Sequence, residues 1–183
     1  SVILQFKIKE LYHQKEYHML KLSRLVQHPY DVKVDYYTPL TIEVTNIPPY
    51  SDKNYFRLVK SENLIEIGLD TTSYQLTNII LVQASNVSLV EKLSLKNVEM
   101  KQGCPVFLDD ISFANGLHDL DQSFEVFLSK DKLKIQLIDK EEAFYLVNGR
   151  VYLGFSQDER LVTILLLVLK DEEYEDLKES FKL

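Results

Sequence analysis

Tryptophan is absent from this sequence of 183 residues, and cysteine, glycine and proline are scarce. The single cysteine, Cys104, excludes an internal disulfide and favours a reducing compartment, so we predict a cytoplasmic protein. Five glycines and five prolines exclude collagen-like and low-complexity classes. The aromatic residues are therefore tyrosine and phenylalanine, which favour half-buried β-strands. Hydrophobic residues make up 45% of the chain, which is typical of a folded globular protein.

Long apolar segments are also missing. The longest apolar run, residues 161–169, is interrupted by Thr163 and is too short to span a bilayer. Near the start, Gln5, Lys7 and Lys9 interrupt the apolar stretch that a signal peptide would need. We therefore expect no association with a membrane. Because the first residue is not methionine, the earlier removal of a leader or a lipid anchor stays open.

Positive charge is in deficit, and the formal net charge is −7. The first thirty residues are net basic, so the negative charge belongs to the rest of the chain. A net acidic surface is repelled by nucleic acid and attracts basic partners, and we predict no binding to nucleic acid. Moderate negative charge also keeps proteins soluble, so the charge alone does not require a basic partner.

Motifs that carry chemistry are absent as well. The sequence contains no glycine-rich phosphate loop, HExxH, GxSxG or paired CxxC motif. His118 lies close in sequence to Asp109, Asp110, Asp119 and Asp121, a set that offers oxygen ligands to a cation. The spacing does not match an EF-hand loop, and a solvated acidic loop explains it better. We therefore predict a protein without enzymatic activity, cofactor or bound metal.

The sequence contains a repeated pattern. The first copy, at 40–82, combines PLTIEV with NYFRLVKSENLIEIGLDTTSYQLTNIILV, and the second, at 133–167, combines KLKIQL with AFYLVNGRVYLGFSQDERLVTILLLVL. The differences in length are expected in the turns, where insertions cost least. A shared glycine and a shared order of four strands predict a duplication. The matched pairs are Leu40/Leu133, Ile42/Ile135, Phe56/Phe144, Leu58/Leu146, Val59/Val147, Gly68/Gly154, Leu76/Leu161, Ile79/Ile164 and Leu81/Leu166.

The repeat predicts a mainly β protein with antiparallel sheets in two related lobes and a short C-terminal helix. The N-terminal lobe is expected at 1–100 and the C-terminal lobe at 121–183. The aperiodic segment 101–120 between them is expected to be a connecting loop.

Alternation of apolar and polar residues predicts the individual strands. Asn148-Gly149 is typical of a type I′ hairpin turn. The spacing of apolar residues at 170–181 predicts a helix, whose acidic first turn complements the helix dipole. The predicted strands are 3–9, 17–26 (with a helix as the alternative), 32–36, 40–44, 55–60, 63–69, 75–83, 87–95, 122–129, 132–138, 143–147, 150–156 and 160–169.

The phrases LIEIGLDTTSYQLTNIILV and RVYLGFSQDERLVTILLLVL resemble those of small Firmicutes immunity proteins encoded beside polymorphic toxins. Such proteins contain a strand, a glycine, a turn and a second strand, and often end in an acidic segment like the one at 169–174 here. The resemblance covers most of 40–82 and 121–176. It implies a monomer that binds a cognate toxin domain stoichiometrically and blocks its active site or assembly.

Many toxins of this kind are basic nucleases, and an acidic inhibitor would gain association rate from electrostatic steering. Exposed carboxylates and a tyrosine are the residues expected to contact such a toxin. The candidates on the connecting loop are Asp109, Asp110, Asp119 and Asp121. The candidates on the C-terminal segment are Asp171, Glu172, Glu173 and Tyr174.

Two other functions remain open at this stage. A β-rich enzyme or small-ligand-binding domain would place strand carboxylates such as Glu66 in a cleft between the lobes. Such a site would combine a pocket with convergent carboxylates of perturbed pKa. A self-associating structural module would instead add strands edge to edge and would not remain monomeric.

Overall fold

The computed structural model describes residues 2–16, 19–48 and 51–183, with the backbone alone for 10–16. Within these ranges the chain is mainly β, as predicted. The helices are α1 (Val2–Glu16) and α2 (Asp171–Phe181). The strands are β1 (Leu22–Val26), β2 (Tyr30–Lys33), β3 (Leu40–Val44), β4 (Lys53–Lys60), β5 (Asn63–Asp70), β6 (Leu76–Gln83), β7 (Val87–Leu89), β8 (Glu99–Gln102), β9 (Cys104–Phe107), β10 (Leu117–Leu120), β11 (Glu125–Leu128), β12 (Lys132–Gln136), β13 (Phe144–Asn148), β14 (Val151–Phe155) and β15 (Leu161–Leu167).

The strands form two large sheets and one small one. The first sheet has six strands in the order β10-β4-β5-β6-β3-β2, and the second has seven in the order β7-β11-β12-β15-β14-β13-β8. Strands β1 and β9 form a separate antiparallel pair. Most neighbours are antiparallel, but β10, β7 and β8 join their sheets in parallel. All three of these parallel strands lie at sheet edges.

The predicted repeat is present in the strand order of the two sheets. Strands β3 to β6 are arranged as β4-β5-β6-β3, and β12 to β15 are arranged as β13-β14-β15-β12. The correspondence extends outward, because β2 flanks β3 as β11 flanks β12, both antiparallel. On the other side, β10 runs parallel to β4 as β8 runs parallel to β13. Six strands of each sheet therefore have a counterpart in the other.

Irregular backbone features also recur in both copies. The pairing register shifts directly after Gly68 in the first sheet and directly after Gly154 in the second. The turn that follows contains a non-glycine residue with positive φ in each copy, Tyr74 at 62° and Glu159 at 65°. Bulges and positive-φ residues are local exceptions to regular geometry. Their recurrence at matching positions supports duplication more strongly than alternation does.

One detail of the predicted alignment is wrong. Tyr55 lies opposite Gly68, and Tyr145 lies opposite Gly154, so the two tyrosines correspond. The predicted equivalence of Phe56 with a phenylalanine of the second copy is therefore displaced by two residues. The length difference lies in the strands of the hairpin and not in its turn. A two-residue extension keeps each side chain on its face because the strand period is two.

The N-terminal prediction of a strand at 3–9 is also wrong, because these residues belong to helix α1. The apolar side chains Ile3, Leu4, Phe6 and Ile8 are all exposed. A strand at this position would need a neighbouring strand for its backbone groups, whereas a helix pairs them internally. The alternation here therefore did not indicate a buried sheet face. The predicted strand at 17–26 shortens to β1, and residues 17 and 18 lie outside the described part.

The segment 101–120, expected to be a loop, contains the end of β8 and all of β9 and β10. All four residues of β9 are buried, so this strand shows no alternation. The other two strands have four residues each and lie at sheet edges. Such short strands give no periodic signal, which explains why the sequence pattern missed them.

A single hydrophobic cluster combines residues of both large sheets. Phe155 illustrates the packing, since its ring centroid lies 5.4 Å from that of Phe144 and 6.4 Å from that of Phe107 on β9. Helix α2, predicted at 170–181, is confirmed and buries Leu177 against this cluster. Neither helix in the described ranges has the length and apolar character needed to cross a bilayer.

Candidate partner-binding surface

The acidic residue Asp119 is held by an ion pair within the protein. Its carboxylate oxygens accept hydrogen bonds from Nε and Nη2 of Arg57 at 2.7 and 2.8 Å. Hydrogen bonding to Arg57 lowers the pKa of Asp119. Asp119 lies on edge strand β10 and Arg57 on β4, so the pair joins the edge strand to the sheet. A carboxylate engaged in this way has less capacity for a partner.

The other candidates on the segment 101–120 lie in different surroundings. Asp110 forms an ion pair with Arg160 at 3.4 Å between Oδ2 and Nη1. Asp109 is exposed, and its hydrogen bond with the Tyr74 hydroxyl raises the pKa of that tyrosine. Asp121 is exposed. Of these three, Asp109 and Asp121 present the more accessible carboxylates.

In the C-terminal helix, Glu173 is also engaged internally. Its two carboxylate oxygens accept hydrogen bonds from Arg150 at 2.7 Å each, and one also accepts from the backbone N–H of Lys170 at 3.0 Å. Tyr174 is half-buried, and the Lys178 ammonium lies 4.7 Å from its ring centroid.

The exposed acidic side chains of this first turn are Asp171 and Glu172. Together with Asp109 and Asp121, they are the predicted acidic candidates that keep an accessible carboxylate without an ion pair in the described structure. The predicted set therefore divides into structural ion pairs and solvated carboxylates. Sequence spacing does not separate these two kinds of residue.

The described residues contain no group of three or more histidine, cysteine and acidic side chains that would hold a metal ion. His118, which sequence proximity placed beside several aspartates, stacks on Phe56 at 5.4 Å between ring centroids. Its Nδ1 lies 2.9 Å from the carbonyl oxygen of Ser112. His118 thus contributes to packing between β10 and β4.

Cys104 is fully buried on β9, and burial raises the pKa of its thiol to about 11. Nucleophilic attack needs the thiolate, so this cysteine is inert in the folded protein. We expect no reaction of the native protein with a thiol-reactive chromogenic disulfide at pH 8. Full reaction of one thiol should follow on unfolding in guanidinium chloride, and absorbance measures both. Rapid labelling of the native protein would contradict the buried position.

One cavity of about 400 Å³ lies between Lys60 of the first sheet and residues on or next to strands of the second sheet, including Glu125, Gln136 and Asp139. Its lining contains neither histidine nor cysteine. No hydrogen bond links a nucleophile to a general base among the lining residues that the structure describes. The enzyme alternative therefore gains no specific support from this cavity.

The second sheet has a face that is turned away from the main core. The chain itself covers the centre of this face, whereas Met100 at its edge is 50% exposed. Residues 90–98, here called the strap, connect β7 at one edge of this sheet to β8 at the opposite edge. Crossing seven strands spans roughly 29 Å, which about nine extended residues can cover. A hydrogen bond shows that the strap lies on this face: the backbone N–H of Lys96 donates to the Tyr145 hydroxyl at 3.4 Å.

Ionic contacts fix the strap to this face of the sheet. The Lys96 ammonium lies 3.5 Å from a carboxylate oxygen of Glu142, and Lys134 approaches the same carboxylate at 3.9 Å. The Glu142 side chain lies over Gly154, where an added Cβ would come within 2.6 Å of Glu142 Cγ. Beneath this cover, Thr163 is 0% exposed and Tyr145 is 2% exposed.

The corresponding face of the first sheet carries a closely matching row of side chains. Strand register places Leu117, Tyr55, Gly68, Asn78, Glu43 and Asp31 in one row across it. The row on the second sheet is Met100, Tyr145, Gly154, Thr163, Gln136 and Glu125. Each position holds the same residue or one of similar size or chemistry. The two rows are therefore duplicates on faces with different surroundings.

The face of the first sheet has no strap among the described residues, and we call it the open face. Its members are Asp31, Glu43, Tyr55, Glu66, Ile80 and Leu117. Tyr55 and Ile80 are half-buried, and Leu117 is 38% exposed. The sequence pattern predicted the strands that form this face. It did not predict that no described segment covers the face, because this depends on the path of residues 90–98.

No protein-family model matches this sequence, and no curated protein is similar to it at a significant level.

Proposed function

We propose that this protein is an immunity protein, which binds a toxin domain in the cytoplasm of the producing cell and neutralises it stoichiometrically. The observation that carries the proposal is the open face of the first sheet. In the second sheet, the strap covers the centre of the equivalent face. A sheet face with a half-buried tyrosine, apolar neighbours and a polar surround resembles the centre of a protein interface. The proposal agrees with the family resemblance of the two repeated hairpins.

Charge supports a basic partner. The net charge is −7, and the open face carries the exposed carboxylates of Asp31 and Glu43. Glu66 on the same face is paired with Arg57 at 3.9 Å. An acidic surface raises the rate at which a basic domain arrives and orients it on contact. A basic nuclease domain fits this requirement, because it needs positive charge to hold its own substrate.

The direct test uses the protein encoded beside this gene in its native genome, which we expect to contain a toxin domain. We expect co-expression of the full chain to restore growth of cells that produce this domain. The two purified proteins should form a 1:1 complex, measured by light scattering after gel filtration. Absence of both protection and complex formation would contradict the proposal, as would turnover of a substrate by the isolated chain.

A matched pair of variants tests the surface. Leu117→Arg adds a positive charge to edge strand β10 on the open face, and we expect at least tenfold weaker binding of the toxin domain by calorimetry. Leu89→Arg adds the same charge at an exposed residue on β7, an edge strand of the second sheet. Leu89→Arg should bind like the unchanged protein. Equal binding by both variants would show that the toxin uses another surface.

A further inference from the structure

The first sheet lacks a counterpart for one continuous segment of the second. Residues 87–98 add strand β7 in parallel to the edge of β11 and then continue as the strap over the adjacent face. The first sheet has a counterpart for β11, which is β2, and a counterpart for β8, which is β10. No described strand pairs with the outer edge of β2. Among the described residues, nothing therefore occupies the edge of β2 or the open face in the way that 87–98 occupies the second sheet.

The open face and the equivalent face of the second sheet differ in charge at one pair of opposite residues. Asp31 and Glu43 lie directly opposite each other on β2 and β3. At the equivalent place in the second sheet, Glu125 lies opposite Gln136, so one carboxylate is replaced by an amide. Like charges directly opposite on neighbouring strands repel each other.

Neither carboxylate of the pair forms an ion pair with another described residue. No ion pair among the described residues therefore offsets the repulsion between Asp31 and Glu43. A cation placed between the two carboxylates would remove the repulsion and gain two charge-assisted hydrogen bonds. In the second sheet the strap brings a cation to a different pair of carboxylates, since Lys96 reaches both Glu141 and Glu142.

We propose that an extended segment of a partner protein adds a strand to the free edge of β2 and crosses the open face, with a lysine or arginine beside Asp31 and Glu43. Backbone hydrogen bonds to the edge supply the main part of such an interaction, and alternate side chains supply its specificity. The segment 87–98 is the template within the molecule for this mode. The inference deepens the proposed function by naming the form and charge of the partner segment, and it rests on that function for the partner being a toxin.

The probe is a synthetic peptide with the sequence of the template, VSLVEKLSLKNV, added to the full-length protein. We expect this peptide to slow hydrogen exchange at the amides of β2 and to shift the NMR signals of Tyr55 and Ile80. A peptide with glutamate in place of both lysines should bind at least tenfold more weakly. Absence of protection at β2, or equal binding of the two peptides, would overturn the proposal.

The variant Glu43→Gln gives the first sheet the residue found in the second. It should weaken peptide binding at least tenfold while raising the melting temperature slightly, because it removes the repulsion with Asp31. The control Glu91→Gln makes the same change of charge on the exposed part of the strap and should leave binding unchanged. Equal binding by both variants would overturn the role of the acidic pair.

The peptide experiment separates this inference from the proposed function. If the peptide binds to the open face but the toxin domain encoded beside the gene does not bind, the binding surface is supported and the assignment of a toxin as the partner is wrong. If the toxin domain binds but does not slow hydrogen exchange at the amides of β2, the immunity function is supported and strand addition to β2 is excluded. If analytical ultracentrifugation shows that two copies of the chain pair through β2, the inference of a partner segment is overturned in favour of self-association.

Discussion

We expect Gly154→Ala to lower the free energy of unfolding by about 2 to 3 kcal/mol, which is roughly 8 °C in melting temperature for a chain of this size. An added methyl group at this position would collide with Thr163 Oγ1 and come within 2.6 Å of Glu142 Cγ. Both neighbours are buried, so neither can move into solvent without exposing the row beneath the strap. Thermal unfolding followed by circular dichroism measures the effect.

The chain offers two controls for this prediction. Gly149 lies in the β13–β14 turn with φ of 58°, and no atom lies within 4 Å of an added Cβ there. Gly149→Asn should therefore change stability by less than about 0.5 kcal/mol, because asparagine tolerates this conformation. In the double variant Gly154→Ala/Thr163→Ala, the lost hydroxyl makes room for the methyl group. The two changes should cost less together than their sum. Strict additivity would show that Thr163 is not the obstacle.

The glycines also show how much of the fold the sequence could predict. Matching Gly68 with Gly154 identified the duplication, because in both copies a polar side chain of the neighbouring strand occupies the space above the glycine. This requirement is local and appears in the sequence. The register of the hairpins does not, since a shift by two residues preserves the apolar pattern on each face. The alignment therefore found the right strands and misplaced one of them by two residues.

The candidate site was predicted less well than the fold. Sequence reasoning selected acidic residues by their density, and Asp119 and Glu173 were then found in bidentate ion pairs with arginines 62 and 23 positions away. Such long-range pairing has no signature in a single sequence. The open face escaped prediction for a related reason, because its members come from six strands and its exposure depends on the path of residues 90–98. Strand patterns predict which side chains share a face, but not what covers the face.

Glu173→Gln should lower the free energy of unfolding at pH 7 by about 2 kcal/mol, a typical contribution of charge-assisted hydrogen bonds. The Glu173 side chain is 12% exposed and accepts two hydrogen bonds from Arg150. Hydrogen bonding to Arg150 lowers the pKa of Glu173 below its ordinary value. The substitution keeps the shape of the side chain but removes the charge, and an amide cannot accept both hydrogen bonds from the guanidinium.

The effect should depend on pH in one direction. Because the pKa of Glu173 is lower in the folded protein than in the unfolded chain, the stabilisation is fully present above the unfolded value, about 4.3. It is lost as the pH falls through the folded pKa. Urea unfolding at pH 7 and pH 3 should therefore show a smaller difference between Glu173→Gln and the unchanged protein at pH 3 than at pH 7.

The neighbouring variant Glu172→Gln distinguishes structure from binding in the same turn. Glu172 is exposed and interacts mainly with the helix dipole, which is worth less than about 1 kcal/mol. Its substitution should leave stability nearly unchanged at both pH values. If the stability loss of Glu172→Gln equalled that of Glu173→Gln, the helix dipole and not the pair with Arg150 would be the source of both. A pH-independent loss for Glu173→Gln would likewise exclude the ion pair as its cause, since only the charged carboxylate forms that pair.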